Sequence, residues 1–302
     1  MLSERLSPPQ ANAATSWARC YDRAVRDVRP SAVAGSWYPA TGAGLTEAVD
    51  AHVASVSLDE AGACPRAVIA PHAGLVYSGP VAAYAYSLVH RCPYAAVVLV
   101  GPSHFVGFQG VSIWPRGAWA TPLGEVKVAD GLAGALAAES REILEHPAAH
   151  GREHSLEMQL PFVARLLPGV PIVPLVMGYQ LRDTAMALGD ALARAITSYR
   201  ARNPGDVLMV ASSDLSHYED AATAFRLDAV VARHVEALDA DGLMDALERE
   251  PRHACGGGPM VSVLRAAAQL GGTRARVLRY ADSGDVSGDK SSVVGYMAAA
   301  IW

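Results

Sequence analysis

Three strand-like runs in this chain stop at a histidine. AVIAPHAGLVYSG leads into Pro71 and His72, AAVVLVGPSHF into Ser103 and His104, and DVLMVASSDLSHY into Asp214 and His217. A neutral imidazole is the commonest transition-metal ligand, and two imidazoles with one anionic donor on a face of the metal leave positions open for oxygen and substrate. His72 and His104 supply the two nitrogens. Cys255, Asp214 and Glu153 compete for the anionic position. One strand-end histidine reads as a capped turn, whereas three at equivalent positions read as a site. His52, His90 and His234 sit in helical or flanking surroundings and read as surface or structural residues.

Other motifs add reactive groups. In CGGGP, Cys255 precedes three glycines and Pro259, which places the thiol near a helix start whose amides lower a thiol pKa and favour the thiolate. The same glycines also fit a small buried cysteine in close packing. EHSLEMQLPF puts Glu153, His154 and Glu157 at the head of an amphipathic helix, with His154 and Glu157 three apart and able to face one direction. In SSDLSHY, Asp214 and His217 read as an acid/base pair, the carboxylate raising the imidazole pKa and fixing its tautomer. Ser212, Ser213, Asp214 and His217 formally offer a serine hydrolase, but no GxSxG elbow accompanies them.

The elements around these residues alternate. Apolar runs at AVIA, YAAVVLVGP, PIVPLVM and DVLMVAS are separated by helix-like segments, including Asp130 to Glu139 and LRDTAMALGDALARAITSYR, in which Leu181, Ala185, Leu188, Leu192 and Ile196 share a face. TPLGEVKV reads as a hairpin, helices are expected around 220–238 and 241–249, and the C-terminal stretch gives two strands joined by a polar loop. Strand–helix alternation predicts an α/β single domain with a mainly parallel central sheet and helices on both faces. Ligands of such sheets bind outside the carboxyl ends of the strands, where the three histidines stand. Residues 1–30 lack the apolar centre of a secretory signal and read as a partly disordered, partly helical extension; the domain is placed at 31–302.

Composition excludes several function classes. A formal net charge of −5 with no basic stripe gives no footprint for nucleic acid, and no apolar run approaches the roughly 20 residues of a membrane span. Cys20, Cys64, Cys92 and Cys255 are widely spaced without a CxxC pair, which argues against a disulfide framework or structural zinc and for a reducing cytoplasm.

The ordered set AGSWYP, APHAGLVYSG, GPSH, EHSLEMQLPF, SSDLSHY, CGGGP and SGDVSGDKSSVVGY resembles the MEMO family, whose prokaryotic members are often the B component of the AmmeMemoRadiSam group. The resemblance runs from about Val33 to the C-terminus. It implies a fold similar to the class III extradiol (LigB-like) dioxygenases, non-haem iron enzymes that cleave catechol-like rings. It also implies His72, His104 and Cys255 as metal ligands, His154 and His217 as acid/base or substrate-orienting groups, and Asp214 as the support of His217. The extradiol enzymes complete their site with a carboxylate, whereas this pattern has cysteine; the softer thiolate admits Fe(II), the first expectation, and also copper or zinc. GPSHF carries Phe105 where a second histidine can follow the first in the family. The implied function is a metal-dependent, dioxygenase-like oxidoreductase acting on an aromatic or oxygen-rich small molecule. The alternatives are a non-catalytic metal- or peptide-binding adaptor and a metal-sequestering protein. AMMECR1-like and radical SAM proteins of the same system are the implied partners.

Overall fold

The structure, a computed structural model, describes residues 28–58 and 62–302, so the expected N-terminal extension lies outside the described residues except for its last three. Those three already belong to the fold. Val28–Arg29 forms strand β1, parallel to β5 (Ala118–Thr121), and β5 turns back on β6 (Gly124–Lys127) in the hairpin that TPLGEVKV predicts.

The apolar runs build a nine-stranded sheet. Its centre is four mutually parallel strands in the order β2 (Ala67–Ala70), β9 (Asp206–Ser212), β3 (Tyr94–Pro102) and β8 (Ile172–Met177). Successive side chains point to opposite faces of a strand. Every residue of β2 and β8 is buried, so both faces of the sheet are covered, which explains why these strands read as continuous rather than alternating apolar runs. The flanks join antiparallel: β12 (Val293–Ile301) lies antiparallel beside β2 and carries both β11 (Ala275–Asp282) and β10 (His217–Glu219), each antiparallel to it, while β4 (Val111–Ile113) lies antiparallel beside β8 and pairs outward, in parallel, with β7 (Ile143–Leu144). The helix Arg182–Arg200 buries Ala185, Leu188, Leu192 and Ile196 as expected. Leu181 caps that helix and is half exposed, because the chain is still extended there.

Two consequences of this topology matter. First, β9 comes late in the chain but inserts between β2 and β3, so the segments that follow all three strands meet at one edge. Second, β2 and β3 also begin at a common edge, and there Cys64 and Cys92 form a disulfide. The expectation of unpaired cysteines is therefore corrected: residues 28 apart in sequence are brought together by a strand–helix–strand crossover that returns the chain to its starting edge. The cysteine-based argument for a reducing compartment goes with it. Among the described residues no helix is long and apolar enough to cross a membrane.

Candidate metal centre

His72 follows β2, and its environment is set by β9. The main-chain N–H groups of His72 and Ala73 donate to Oδ1 of Asp214 at 2.7 and 3.3 Å, pinning the turn that ends β2. The imidazole is buried, with Nδ1 at 2.9 Å from Oγ of Ser212, the last residue of β9, and Nε2 at 3.2 Å from Sγ of Cys255. Burial, then the neighbouring His104 and His154 imidazoles, push its pKa well below the ordinary value, so the ring is neutral.

His104 follows β3 and is oriented by Glu153. The Glu153 carboxylate accepts from the His104 main-chain N–H at 2.5 Å and sits 2.9 Å from its Nδ1, while Oε1 also accepts from the amides of His154 and Ser155, each at 2.8 Å. Burial alone would raise the Glu153 pKa; the hydrogen bonds and charge of His104 and the amide of Ser155 outweigh it and hold the carboxyl at about 2. An ionised carboxylate can only accept, so Nδ1 of His104 donates and its Nε2 is left for a ligand. Glu153, offered by the sequence as a candidate third ligand, is thus spent on holding His104.

Cys255 lies in the turn before the helix Gly257–Gln269. Its N–H donates to the Asp214 carbonyl at 3.2 Å, tying the thiol to the segment that follows β9. Gly256 makes this approach possible, because a Cβ there would stand 2.6 Å from the Ser212 carbonyl oxygen. The expected lowering of the thiol pKa is reversed: burial and the charge of Asp214 push it up. Two of the helix-start amides that were to lower it are engaged elsewhere, Gly256 N–H by Ser213 Oγ and Gly258 N–H by Gln180 Oε1. Ligand atoms of His72, His104 and Cys255 all lie within 4.8 Å of one another. Bonds of about 2.0–2.1 Å to nitrogen and 2.3 Å to sulfur, at angles near 90–110°, set those atoms roughly 3.1–3.6 Å apart. The 3.2 Å separation of His72 Nε2 and Cys255 Sγ falls in that range, and two imidazoles with a sulfur are a donor set for iron, copper or zinc.

Asp214, the other candidate ligand, is directed at the His72 and Ala73 amides, and burial pushes its pKa up to about 6. That also corrects its expected pairing with His217. Nδ1 of His217 lies 2.9 Å from the Leu215 carbonyl, which can only accept, so Nδ1 donates there; Asp214 and His217 influence each other through charge alone. His217 does not end the third strand, either. β9 stops at Ser212, and His217 opens the edge strand β10. His154 stands at the centre of an aromatic group: it stacks on His104 at 4.5 Å, packs against Trp37 at 4.3 Å and meets Phe105 edge-on at 5.8 Å. Burial pushes its pKa down to about 4.

Residues 29–300 match the family described as Memo-like protein. The chain belongs to the Memo-like family. Similar relatives, each named a MEMO1 family protein, include that of Caldivirga maquilingensis, 34% identical over 282 residues, or 91% of this chain and 99% of the relative. Those of Thermotoga petrophila and Methanothermobacter thermautotrophicus are 37% and 38% identical, covering 91% and 89% of this chain and 99% and 98% of theirs. The Memo-like match begins at Arg29, the first residue of this chain seen to support the centre.

That support escaped the sequence reading. Arg29 is fully buried and donates to Glu157 Oε2 at 2.6 Å, to the His150 carbonyl at 2.7 Å and to the Glu153 carbonyl at 2.5 Å, with its guanidinium 4.2 Å from the Trp119 ring. Glu157 also accepts from the amides of Ala32 and Val33 and the hydroxyl of Tyr38. It therefore anchors the strap that carries Trp37 onto His154, and the expectation that Glu157 shares a direction with His154 is corrected. The available signal was two acids inside an otherwise apolar stretch. Gln159 was missed as well, and Ser212 was named only as a formal hydrolase residue; both are polar and fully buried, with Gln159 Nε2 donating to Ser212 Oγ at 2.8 Å.

Proposed function

We propose that the protein binds one first-row transition metal, Fe(II) in the cell, through His72, His104 and Cys255, and acts as a dioxygenase-like oxidoreductase on an aromatic or oxygen-rich small molecule. The observation that carries the reading is the convergence of two imidazoles and a sulfur at the carboxyl edge of a parallel sheet, where ligands of such sheets bind. An extradiol-dioxygenase-like fold, which the family resemblance implies, is part of the same proposal. When bound, the metal would hold substrate and oxygen together and polarise both. The chain's own residues do the rest. Glu153 fixes the face that His104 presents, and Trp37 and Phe105 supply an apolar wall beside His154. His154 or His217 takes up a substrate proton; on His217 the atom available is Nε2, since Nδ1 is committed to the Leu215 carbonyl.

A second reading is a non-catalytic adaptor that binds a peptide at the same place. It is favoured by the exposure of Trp37, Phe105 and Tyr218 next to the centre. Protein purified without oxygen and analysed for metals separates the cases. About one iron per chain, with oxygen consumed on addition of a catechol, is the expected result. Stoichiometric metal without oxygen uptake across catechols supports the adaptor, and absence of any first-row metal, including after reconstitution, overturns the metal reading. Association with AMMECR1-like and radical SAM proteins rests on the family resemblance and is tested by co-purification.

A further inference from the structure

Ser212 Oγ is fully buried and has three neighbours: the Ser155 carbonyl at 2.6 Å, Gln159 Nε2 at 2.8 Å and His72 Nδ1 at 2.9 Å. A hydroxyl offers one proton and two lone pairs. The carbonyl can only accept, so the proton goes to Ser155. The Gln159 contact is equally one-sided. Its Nε2 also lies 3.0 Å from the Pro71 carbonyl, and its Oε1 lies 2.9 Å from the hydroxyl of Tyr86. Turning the amide over would set two oxygens against each other at Pro71, so Gln159 donates to Ser212. Tyr86 in turn donates to Gln159; burial raises its pKa and keeps the phenol protonated, and its ring stacks on Phe162 at 4.9 Å.

With one proton given and one lone pair filled, Ser212 can only accept from His72. We infer that Tyr86, Gln159 and Ser212 are positioning residues that hold His72 as its Nδ1–H tautomer and leave Nε2 bare toward Cys255. The opposite tautomer would bring the Nδ1 lone pair against an oxygen whose proton and other lone pair are already engaged, at a fully buried position. The two imidazoles are thus set by different chemistry. His104 faces a charged carboxylate on its own side of the site, while His72 is set through a neutral relay that begins in the helix Leu75–Val89 and crosses to the end of β9. The relay is built before any metal arrives, so ligation at His72 needs no proton to move on that ring. This assignment takes the metal reading above as the reason the relay exists, but the tautomer itself is a property of the metal-free protein.

The test is long-range ¹H–¹⁵N correlation spectroscopy of metal-free protein labelled with ¹⁵N-histidine, with His72 assigned from the signals lost in His72→Gln. The expected pattern at neutral pH is a protonated Nδ1 and an unprotonated Nε2. Ser212→Ala and Gln159→Leu should each mix the two tautomers, Ser212→Thr should restore the single one, and cobalt(II) affinity, followed by its thiolate absorption, should fall about 10–100-fold in the first two. A wild-type His72 protonated on Nε2, or an unmixed Nδ1–H form in both Ser212→Ala and Gln159→Leu, overturns the inference whatever metal is bound. A protonated Nδ1 in a protein that takes up no cobalt(II) supports the relay and counts against the metal reading alone.

Discussion

Glu153 and Glu157 are the same residue type, close in sequence and both buried, yet they work for different regions. Glu153 faces the sheet edge, where its oxygens collect the His104 ring and three amides. Glu157 faces the N-terminal strap and collects Arg29, Tyr38 and two amides. One glutamate orients the His104 imidazole and the other fastens the wall beside it. A buried carboxylate is therefore not by itself a sign of chemistry, since what it accepts from decides its work.

The contrast can be broken most forcefully at Glu157. Glu157→Ala strands the Arg29 guanidinium in the interior without its counter-charge, and should cost about 3–5 kcal/mol in denaturant unfolding. Cobalt(II) affinity of the protein that remains folded should change little; an equal loss of affinity would merge the two roles. Glu153→Gln keeps the shape but removes the charged acceptor from His104. Metal affinity should fall about 10–100-fold, with a smaller stability loss than in Glu157→Ala. Unchanged affinity would return Glu153 to a purely structural part.

A further expected effect is a pH dependence to which the strap side contributes through His150. The His150 carbonyl accepts from Arg29 Nε, and its buried ring has a pKa pushed down to about 3 by burial and then by the Arg29 charge. Ser112, Glu153 and His146 are its other electrostatic neighbours. The unfolded chain takes up this proton near pH 6.5 and the folded chain only near 3. The contribution is thus whole above about 6.5 and is lost as pH falls toward 3. Denaturation of metal-free protein across that window should show a shallower acid decline in His150→Gln than in wild type. Parallel declines would remove His150 from the account.

Much of this molecule can be read from the chain. Continuous apolar runs at 67–70, 94–102, 172–177 and 206–212 declare strands covered on both faces, and that pattern leads directly to the four parallel strands at the centre of the sheet, though not to its antiparallel flanks. The histidines after β2 and β3 follow from the same logic, because a strand's last residue fixes where its successor projects. Sequence order contains no strand order, however, and the insertion of β9 between β2 and β3 is what places Ser212 and Asp214 against His72. Local spacing likewise could not decide among Cys255, Asp214 and Glu153. Those three arrive from separate segments, and only packing shows that two of them are already occupied by amides and an imidazole. The disulfide and the Arg29–Glu157 pair, 128 residues apart, belong to the same class of feature. Side-chain chemistry and periodicity are local properties and survive in a one-dimensional reading. Hydrogen-bond partners, burial and the pKa shifts they cause depend on which distant segments the fold brings into contact, and only the tertiary structure decides that.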